Sequence, residues 1–542
     1  MSLPILGRVL RSDSPSFCWV YSDSPAPLGT YVYAEFSVID RATGSHIARK
    51  VVGIVSNSSY SPIMERPVLA DLREDLPHDY RVPSISTILV YVVADITDKR
   101  SETPRYPIPP GTPIYPAPPE ALRILYTSPR EGFIRIGFLS EYRGIEIGVN
   151  VNELSRHFLI AGATGSGKSN TVAILADRLS QIGAPVIIFD VHGEYVGLEP
   201  EDKNSSRVVE HEATISPYKI PPKILASMIV REAAATKQRR LLRRALRRLN
   251  KAIEEKTSKE GLGLSIAVER LYEEKKIQGL VDAADEEAAL EVKDMYLALL
   301  LKEIESVARE RDYEKRIVDS TVDKVEEFFE TSPINLEAPR ITDLIEPGKV
   351  TVINVSTLSD EEKSWILRLY ADNLLAYLKE GGASFGSGAS RMPVIFIVEE
   401  APLFLPANAS SPAKDSLQRF AREGRKFGGV LGIVSQRPRS LDPNVASQLQ
   451  NFVFLKLVQE EDIRAVMNIA DSLEESLAGI LPSLPKGRAI VMGEWVGRFP
   501  VLVDIDEHRG KKRGATPDLY RIWSSGSRSR ERVIEEKFKI DV

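Results

Sequence analysis

The stretch HFLIAGATGSGKSNTVAILADRL, residues 157–179, decides the fold of the core. Within it, GATGSGKS at 162–169 fits the eight-position glycine-rich pattern that cradles nucleotide phosphates. The apolar run at 158–161 predicts a strand before this loop, and residues 169–181 predict a helix after it. Because strand, glycine-rich loop and helix are the context in which the pattern binds phosphate, the sequence predicts a P-loop nucleoside triphosphate site.

The residue types of this loop match the chemistry of phosphate binding. Glycines let backbone N–H groups turn inward around the phosphates, and the start of the following helix adds its positive dipole end. We expect Lys168 to reach the β- and γ-phosphates and Ser169 to ligate Mg²⁺. The predicted nucleotide-binding set is Gly162, Ala163, Thr164, Gly165, Ser166, Gly167, Lys168, Ser169 and Asn170.

A second element is the sequence MPVIFIVEEAPLF, in which five apolar residues at 394–398 precede Glu399 and Glu400. An apolar strand that ends in two acids can place one carboxylate near Mg²⁺ and the next against the attacking water. The usual first acid is Asp, and the longer Glu399 leaves open whether it contacts the metal directly or through water. We predict that Glu400 polarises the water.

A third element is FAREGRKFGGVLGIVSQRPRSL, residues 420–441, which follows a predicted helix at 414–423. Arg422, Arg425 and Lys426 precede a predicted buried strand, and Gln436 follows that strand as a candidate γ-phosphate sensor. Two interpretations of these cations stay open. One is an arginine that faces the γ-phosphate of a neighbouring subunit, and the other is a solvated basic helix end.

Composition limits the class of protein. The chain has 542 residues, 43% apolar and 27% charged, with net charge −5, so a nucleic-acid surface would be a local basic patch. Cys18 is the only cysteine, and the six histidines are too dispersed for a metal motif. No apolar run approaches the length of a membrane span. We therefore expect a cytoplasmic protein without membrane contact.

The pattern along the chain predicts an α/β fold in several parts. Short β-branched runs, including GFIRIGFL at 132–139, predict a small β-barrel with a proline-rich strap at 104–122. Later apolar runs predict a parallel sheet, and residues 206–345 predict an inserted helical lobe. The predicted parts are a barrel at 1–150, a core at 151–205 and 346–507, the helical lobe at 206–345 and a C-terminal arm at 508–542.

One helix of the predicted lobe, KQRRLLRRALRRLNKA at 237–252, is strongly basic. In helical projection its arginines occupy about half the circumference and its leucines much of the rest. This basic face can bind DNA phosphates without sequence preference, or it can be a solvated face that pairs with acids such as Glu286, Glu287 and Glu291.

The segments RHFLIAGATGSGKSNT, FDVHGEY, FIVEEAPLF and AREGRKFGGVLGIVSQRP resemble those of the HerA family of hexameric DNA-translocating ATPases. The resemblance implies a RecA-like core, a HAS-like barrel and a homohexamer with ATP and Mg²⁺ between neighbouring subunits. It implies that Arg425 is the trans-acting finger and that Arg156 contacts nucleotide. The segment Asp190–Tyr195 resembles the family's segment after the second strand, which lies near the nucleotide and the central channel. Its His192 has either a functional role or only a structural place in the loop.

The resemblance also implies double-stranded DNA as the substrate and a nucleoid-associated location. Family members typically work with a NurA nuclease, which would dock on the N-terminal barrel and resect the DNA ends delivered to it for recombinational repair. Pro402 departs from the family, in which histidine is common after EEA. Alternatives are a conjugation or secretion motor of the VirB4 and TraG type, an ATP-dependent clamp and a small-molecule kinase.

Overall fold

A computed structural model of the chain describes residues 4–22, 25–39, 44–62, 84–126, 131–232, 234–278, 291–381 and 392–510. Its first part is a closed antiparallel barrel with strand order β1-β2-β5-β4-β3-β6. The six strands are β1 (Gly7–Ser14), β2 (Phe17–Ser22), β3 (Tyr31–Ile39), β4 (His46–Pro62), β5 (Ser84–Asp95) and β6 (Pro113–Pro116). Alternating burial along β2 and β3 directs one side-chain face into the barrel core.

The proline-rich segment at 104–122 closes this barrel instead of lying beside it as an extended strap. Its four-residue strand β6 pairs with both β1 and β3. The prolines occupy the two ends of β6, where a missing N–H is tolerated, and Ile114 and Tyr115 lie between them. Helix α1 (Pro119–Leu125) follows directly.

The second part is an 11-stranded sheet with the order β11-β12-β10-β13-β14-β9-β15-β16-β17-β7-β8. Strands β11 to β15 in this order are parallel, and the last four are antiparallel. The parallel strands are β9 (Phe158–Ala161), β10 (Val186–Asp190), β11 (Arg207–Glu212), β12 (Lys349–Asn354), β13 (Val394–Val398), β14 (Gly429–Ser435) and β15 (Asn451–Phe454). The antiparallel strands are β7 (Phe133–Leu139), β8 (Tyr142–Asn150), β16 (Arg488–Gly493) and β17 (Gly497–Ile505).

Strands β7 and β8, which the sequence placed in the barrel at 1–150, both belong to this large sheet. Strand β7 pairs with β17 and with β8. Buried and partly buried residues alternate along most of β7, a pattern that fits a strand of either sheet. The sequence therefore carries no signal for which strand β7 pairs with. Strand β11 is a second difference, because it adds a parallel edge strand within the segment predicted to be helical.

Helices cover the sheet and form the lobe between β11 and β12. The lobe consists of α3 (Pro222–Ile229), α4 (Thr236–Glu260), α5 (Leu264–Ile277), α6 (Val292–Glu310) and α7 (Lys315–Thr331). The remaining helices are α2 (Lys168–Gln181), α8 (Asp360–Glu380), α9 (Lys414–Glu423), α10 (Pro443–Ala446), α11 (Glu460–Ile469) and α12 (Glu475–Ala478). The α/β class with a barrel and an inserted helical lobe is confirmed.

The central strand β9, which leads to the glycine-rich loop, is fixed by close packing. All four of its residues are buried between β14 and β15. The Phe158 ring stacks on Trp495 at a centroid distance of 5.9 Å. A Cβ at Gly432 of the neighbouring strand β14 would lie 2.3 Å from the Phe158 ring, so any larger residue there would force this packing to shift. This packing fixes the position from which the loop departs.

Two further sequence predictions concern the chain outside the core. No helix among the described residues is both long and apolar enough to cross a membrane. Most of the predicted C-terminal arm, residues 511–542, lies outside the described residues, as do Glu286 and Glu287.

Candidate functional site

The loop between β9 and α2 forms a tight backbone cradle at the carboxyl edge of the parallel sheet. Gly165 and Gly167 have φ of 74° and 114°, in the region that favours glycine. A Cβ at Gly162 would lie 2.6 Å from the Ser166 hydroxyl and 2.9 Å from the Leu455 Cβ. The Ser166 hydroxyl is buried without a hydrogen-bond partner among the described groups. The cradle therefore has glycine where side chains would fill it.

Lys168 and Ser169 begin α2 at the base of this cradle. The Lys168 ammonium donates a hydrogen bond to the Ala163 carbonyl at 3.0 Å. Burial lowers the pKa of Lys168, while the carboxylates of Glu194, Glu399 and Glu400 oppose that shift. These acids come from the ends of β10 and β13, so neighbouring strands direct negative charge at the same lysine.

Glu399 is 5% exposed and turns toward the end of β10. Its carboxyl accepts a hydrogen bond from the Val191 N–H at 3.2 Å and shares another with Asp190. Burial, and after it the charge of Asp190, raises the pKa of Glu399 well above its ordinary value. A divalent cation would favour the ionised form of this carboxyl.

Glu400, the next residue, has a backbone conformation that is uncommon outside glycine. Its φ of 44° and ψ of 45° are left-handed, a strain that clusters at functional sites. Burial raises the pKa of Glu400, and the nearby charges of Lys168, His192 and Arg437 oppose the shift. This carboxyl is therefore half-buried in a cationic setting, which suits a base that orients water.

The segment after β10 supplies an acid that the sequence analysis did not assign to the site. Asp190 accepts hydrogen bonds from the backbone N–H groups of Gly193, Glu194 and Tyr195 at 2.8, 3.0 and 2.9 Å. This turn brings the Glu194 carboxylate to the Ser169 hydroxyl, which donates a hydrogen bond to it. The sequence signal for this acid is the segment FDVHGEY, which carries part of the family resemblance.

Gln436 lies at the same sheet edge, directly after β14. Its side-chain oxygen accepts a hydrogen bond from the Thr164 hydroxyl at 2.6 Å, so it borders the cradle. Asn170 points elsewhere. Its amide donates to the Asp506 carbonyl at 2.7 Å and accepts from the His508 N–H at 2.9 Å. In this structure Asn170 ties the start of α2 to the segment after β17.

Arg156 and Arg425 lie at the amino-terminal ends of the parallel strands, opposite the cradle. Arg156 immediately precedes the start of β9, where it pairs with Glu153 at 2.8 Å and donates to Gln450 at 3.2 Å. Arg425 is exposed in a 3-10 turn, Gly424–Phe427, just before β14. The seven residues of β14 separate Arg425 from Gln436. At about 3.3 Å per residue this is roughly 20 Å, beyond the reach of an arginine side chain.

His157 connects the residues on both sides of the 3-10 turn Gly424–Phe427 to the start of β9 by hydrogen bonds. Its Nδ1 accepts a hydrogen bond from the Leu431 N–H at 3.0 Å, so Nε2 carries the proton and donates to the Ala421 carbonyl at 2.8 Å. Burial lowers the pKa of His157, and the charge of Arg425 lowers it further. This buried neutral ring joins β9, β14 and the end of α9.

The site fits a Mg²⁺ that is held largely by substrate phosphates. No cluster of three or more His, Cys, Asp or Glu side chains forms a metal cage within the part of the chain that the structure describes. Mg²⁺ commonly uses one or two protein oxygens together with phosphates and water. The Ser169 hydroxyl and the Glu399 carboxyl, beside the glycine cradle, are suitable donors.

The family model and the relatives by sequence indicate the same family. The family model described as "Helicase HerA, central domain" matches residues 134–374. The DNA double-strand break repair helicase HerA of Saccharolobus solfataricus is 32% identical over 527 residues, 96% of this chain and 95% of that protein. The protein of the same name from Sulfurisphaera tokodaii is also 32% identical, and 96% of each chain is covered. A solved VirB4 structure from Thermoanaerobacter pseudethanolicus has a TM-score of 0.43 at 16% identity, with 70% of this chain and 98% of that chain covered.

Proposed function

The chain belongs to the HerA family of DNA helicases, and we propose that it is a hexameric, ATP-driven translocase of double-stranded DNA. As a member of this family it is an ATP-hydrolysing helicase with a P-loop. The translocase proposal rests on the separation of the phosphate cradle from Arg156 and Arg425, which lie at the other ends of strands β9 and β14.

A site split in this way favours a ring. Among the described residues, the cradle edge has Lys168, the acids, Gln436 and Arg437, whereas Arg425 cannot reach it from the other end of β14 in the same subunit. Head-to-tail contact would bring the Arg425 edge of one subunit against the cradle of the next. Repetition of that contact closes a ring, and the proposed number of subunits is six.

The proposed cofactors are ATP and Mg²⁺. Backbone N–H groups of 162–167 would surround the phosphates, Lys168 would bind the β- and γ-phosphates, and Ser169 and Glu399 would hold Mg²⁺. The metal ion supplies positive charge that neutralises the transferring phosphoryl group. Glu194 accepts a hydrogen bond from the Ser169 hydroxyl and so would direct the oxygen lone pairs of Ser169 toward the metal.

Hydrolysis then depends on three side chains of this chain. Glu400 orients the attacking water and accepts its proton, and Gln436 contacts the γ-phosphate from the end of β14. Arg425 of the neighbouring subunit would stabilise charge on the γ-phosphate, a contribution of about 10³ to 10⁵ in rate for arginine fingers. Arg156 contacts the same nucleotide from the neighbouring edge.

A subunit-mixing experiment tests the composite site. Lys168→Ala and Arg425→Ala proteins are each expected to be inactive as uniform rings. Random co-assembly of the two in equal amounts gives about a quarter of interfaces an intact lysine and an intact arginine. ATP hydrolysis should therefore reappear in the co-assembled protein.

Arg422→Ala is the matched control, because Arg422 is an exposed arginine in the last turn of α9, near Arg425. It should retain hydrolysis as a uniform ring. Absence of recovery in assembled mixed rings refutes the trans role of Arg425. Loss of activity in Arg422→Ala but not in Arg425→Ala would transfer that role to Arg422.

The proposed cellular role is delivery of DNA ends to a NurA-type nuclease for resection in recombinational repair. The barrel is the proposed docking platform, because it has its own hydrophobic core and exposes large apolar side chains. Tyr21, Ile39 and Tyr60 are 40, 62 and 59% exposed on its strands. Co-purification of the nuclease with wild type and its loss in Tyr21→Ser, Tyr60→Ser protein would support the platform; retention would refute it.

A clamp that only binds ATP is the second candidate function. Glu400 distinguishes the two, since a motor needs turnover and a clamp needs only occupancy. The left-handed backbone and half-buried carboxyl of Glu400 favour turnover. Wild-type protein that binds ATP but never releases phosphate would favour the clamp.

A further inference from the structure

Helix α4 has six arginines, and two of them, Arg239 and Arg248, form hydrogen bonds or an ion pair with neighbouring helices of the lobe. Its buried face consists of Leu241, Leu242, Ala245, Leu246, Leu249 and Ile253. Arg239 caps the end of α3 by donating to the carbonyls of Val230 and Arg231, both at 2.8 Å. Arg248 forms an ion pair with Glu310 of α6. These two arginines stabilise the packing of the lobe.

A different set of cations forms a line along the outer face of α4. This set, Arg240, Arg244, Arg247 and Lys251, is named the basic strip. Its members are spaced four, three and four residues apart, so they fall within about 60° of each other at 100° per residue. Arg240, Arg247 and Lys251 are exposed, and the hydrogen bond that Arg244 donates within the described residues goes to the Tyr313 hydroxyl at 3.3 Å.

The basic strip has no carboxylate partner within 4.0 Å among the residues that the structure describes. The C-terminal half of the same helix differs, since Lys256 pairs with Glu260 and Lys259 with Glu255. Like charges three and four residues apart destabilise a helix. Helix stability therefore does not account for this arrangement, whereas a polyanionic partner does.

We propose that the basic strip binds the phosphate backbone of double-stranded DNA outside the ATP site, an inference that rests on the proposed DNA motor. At 1.5 Å per residue the strip extends about 16 Å along the helix, which equals between four and five base-pair steps of about 3.4 Å along the axis of duplex DNA. Its positions include no aromatic side chain that could stack on an unpaired base, which favours duplex over single-stranded DNA. Contacts to phosphate alone make the binding independent of sequence.

The test compares two triple variants of the full chain that remove the same charge from the same helix. The first, Arg240→Gln with Arg247→Gln and Lys251→Gln, removes strip cations. The control, Lys237→Gln with Arg248→Gln and Lys259→Gln, removes cations that have ion-pair partners. Binding to a labelled linear duplex is measured without nucleotide between 50 and 200 mM salt, roughly the range over which phosphate contacts dominate affinity.

The strip variant should lower the slope of log affinity against log salt by about 2 to 3, because each phosphate contact contributes about 0.9. The control should change the slope by less than about 1. A single cooperative thermal unfolding transition and equal ATP hydrolysis without DNA establish that both variants are folded.

An unchanged slope in the strip variant overturns the proposal, and so does an equal decrease in the two variants. Poly-dT and poly-aspartate serve as alternative polyanions. If the strip variant loses binding to poly-dT preferentially, or loses binding to poly-aspartate while its duplex binding is intact, the assignment to duplex DNA is overturned. A wild-type protein that binds no duplex at any salt concentration overturns both the strip and the proposed motor. If wild type binds duplex and the strip variant binds it equally well, only the proposal for the strip is overturned.

Discussion

Glu194→Gln should weaken nucleotide binding only when Mg²⁺ is present. In the structure the Glu194 carboxylate accepts the hydrogen bond of the Ser169 hydroxyl and is the largest favourable charge on Lys168. A hydrogen bond to a charged group contributes about 1.5 to 3 kcal/mol. At about 1.4 kcal/mol per tenfold change, its loss predicts roughly 10- to 100-fold weaker binding of Mg-ADP.

The assay is a fluorescence titration with a labelled ADP, performed once with Mg²⁺ and once with a chelator. Without Mg²⁺ the variant should bind as well as wild type or better, because a negative charge near the phosphates has been removed. Glu212→Gln is the matched control, since it removes an equal charge from the exposed end of β11 on the same sheet. It should leave both titrations unchanged.

Two outcomes would refute this reasoning about Glu194. One is an equal loss of affinity with and without Mg²⁺, which would indicate a general role in the cradle. The other is a Mg²⁺-dependent affinity within about twofold of wild type, since that is less than any charged hydrogen bond contributes.

Three further predictions follow from individual contacts. His157→Ala leaves two buried backbone groups unpaired and should cost about 2 to 5 kcal/mol, seen by calorimetry. Because burial lowers the pKa of His157 in the fold, wild type should lose stability as pH falls below about 6.5, and this loss should shrink in the variant. As the pH is lowered, turnover should decrease around a pKa above the ordinary glutamate range, because burial raises the pKa of Glu400. A decrease centred at the ordinary glutamate pKa would argue against Glu400 as the base. Gly432→Ala should destabilise by about 1 to 3 kcal/mol through overlap with Phe158, and unchanged unfolding would contradict this.

The parts of the site that the sequence predicted are those with local signals. The glycine pattern, the apolar strands and the two acids after β13 each combine residue type with position in a strand or turn. Placement of Arg156 and Arg425 away from the cradle also follows from order, because both precede strands whose carboxyl ends lie at the cradle.

The contacts that the sequence did not predict join distant segments. Asn170 follows the phosphate pattern directly, yet its amide binds residues more than 300 positions away. Glu194 reaches Ser169 only because the Asp190 side chain folds the turn between them. Strand β7 has a burial pattern that suits either sheet, and its pairing with β17 is determined by tertiary packing.

Steady-state ATP hydrolysis with increasing linear double-stranded DNA tests the central claim most directly, with Glu400→Gln as the inactive control. The account predicts that DNA raises the turnover of wild type, while the variant binds ATP and releases no phosphate at any DNA concentration. Wild-type hydrolysis that is indifferent to DNA, or a Glu400→Gln protein that retains it, would contradict the account.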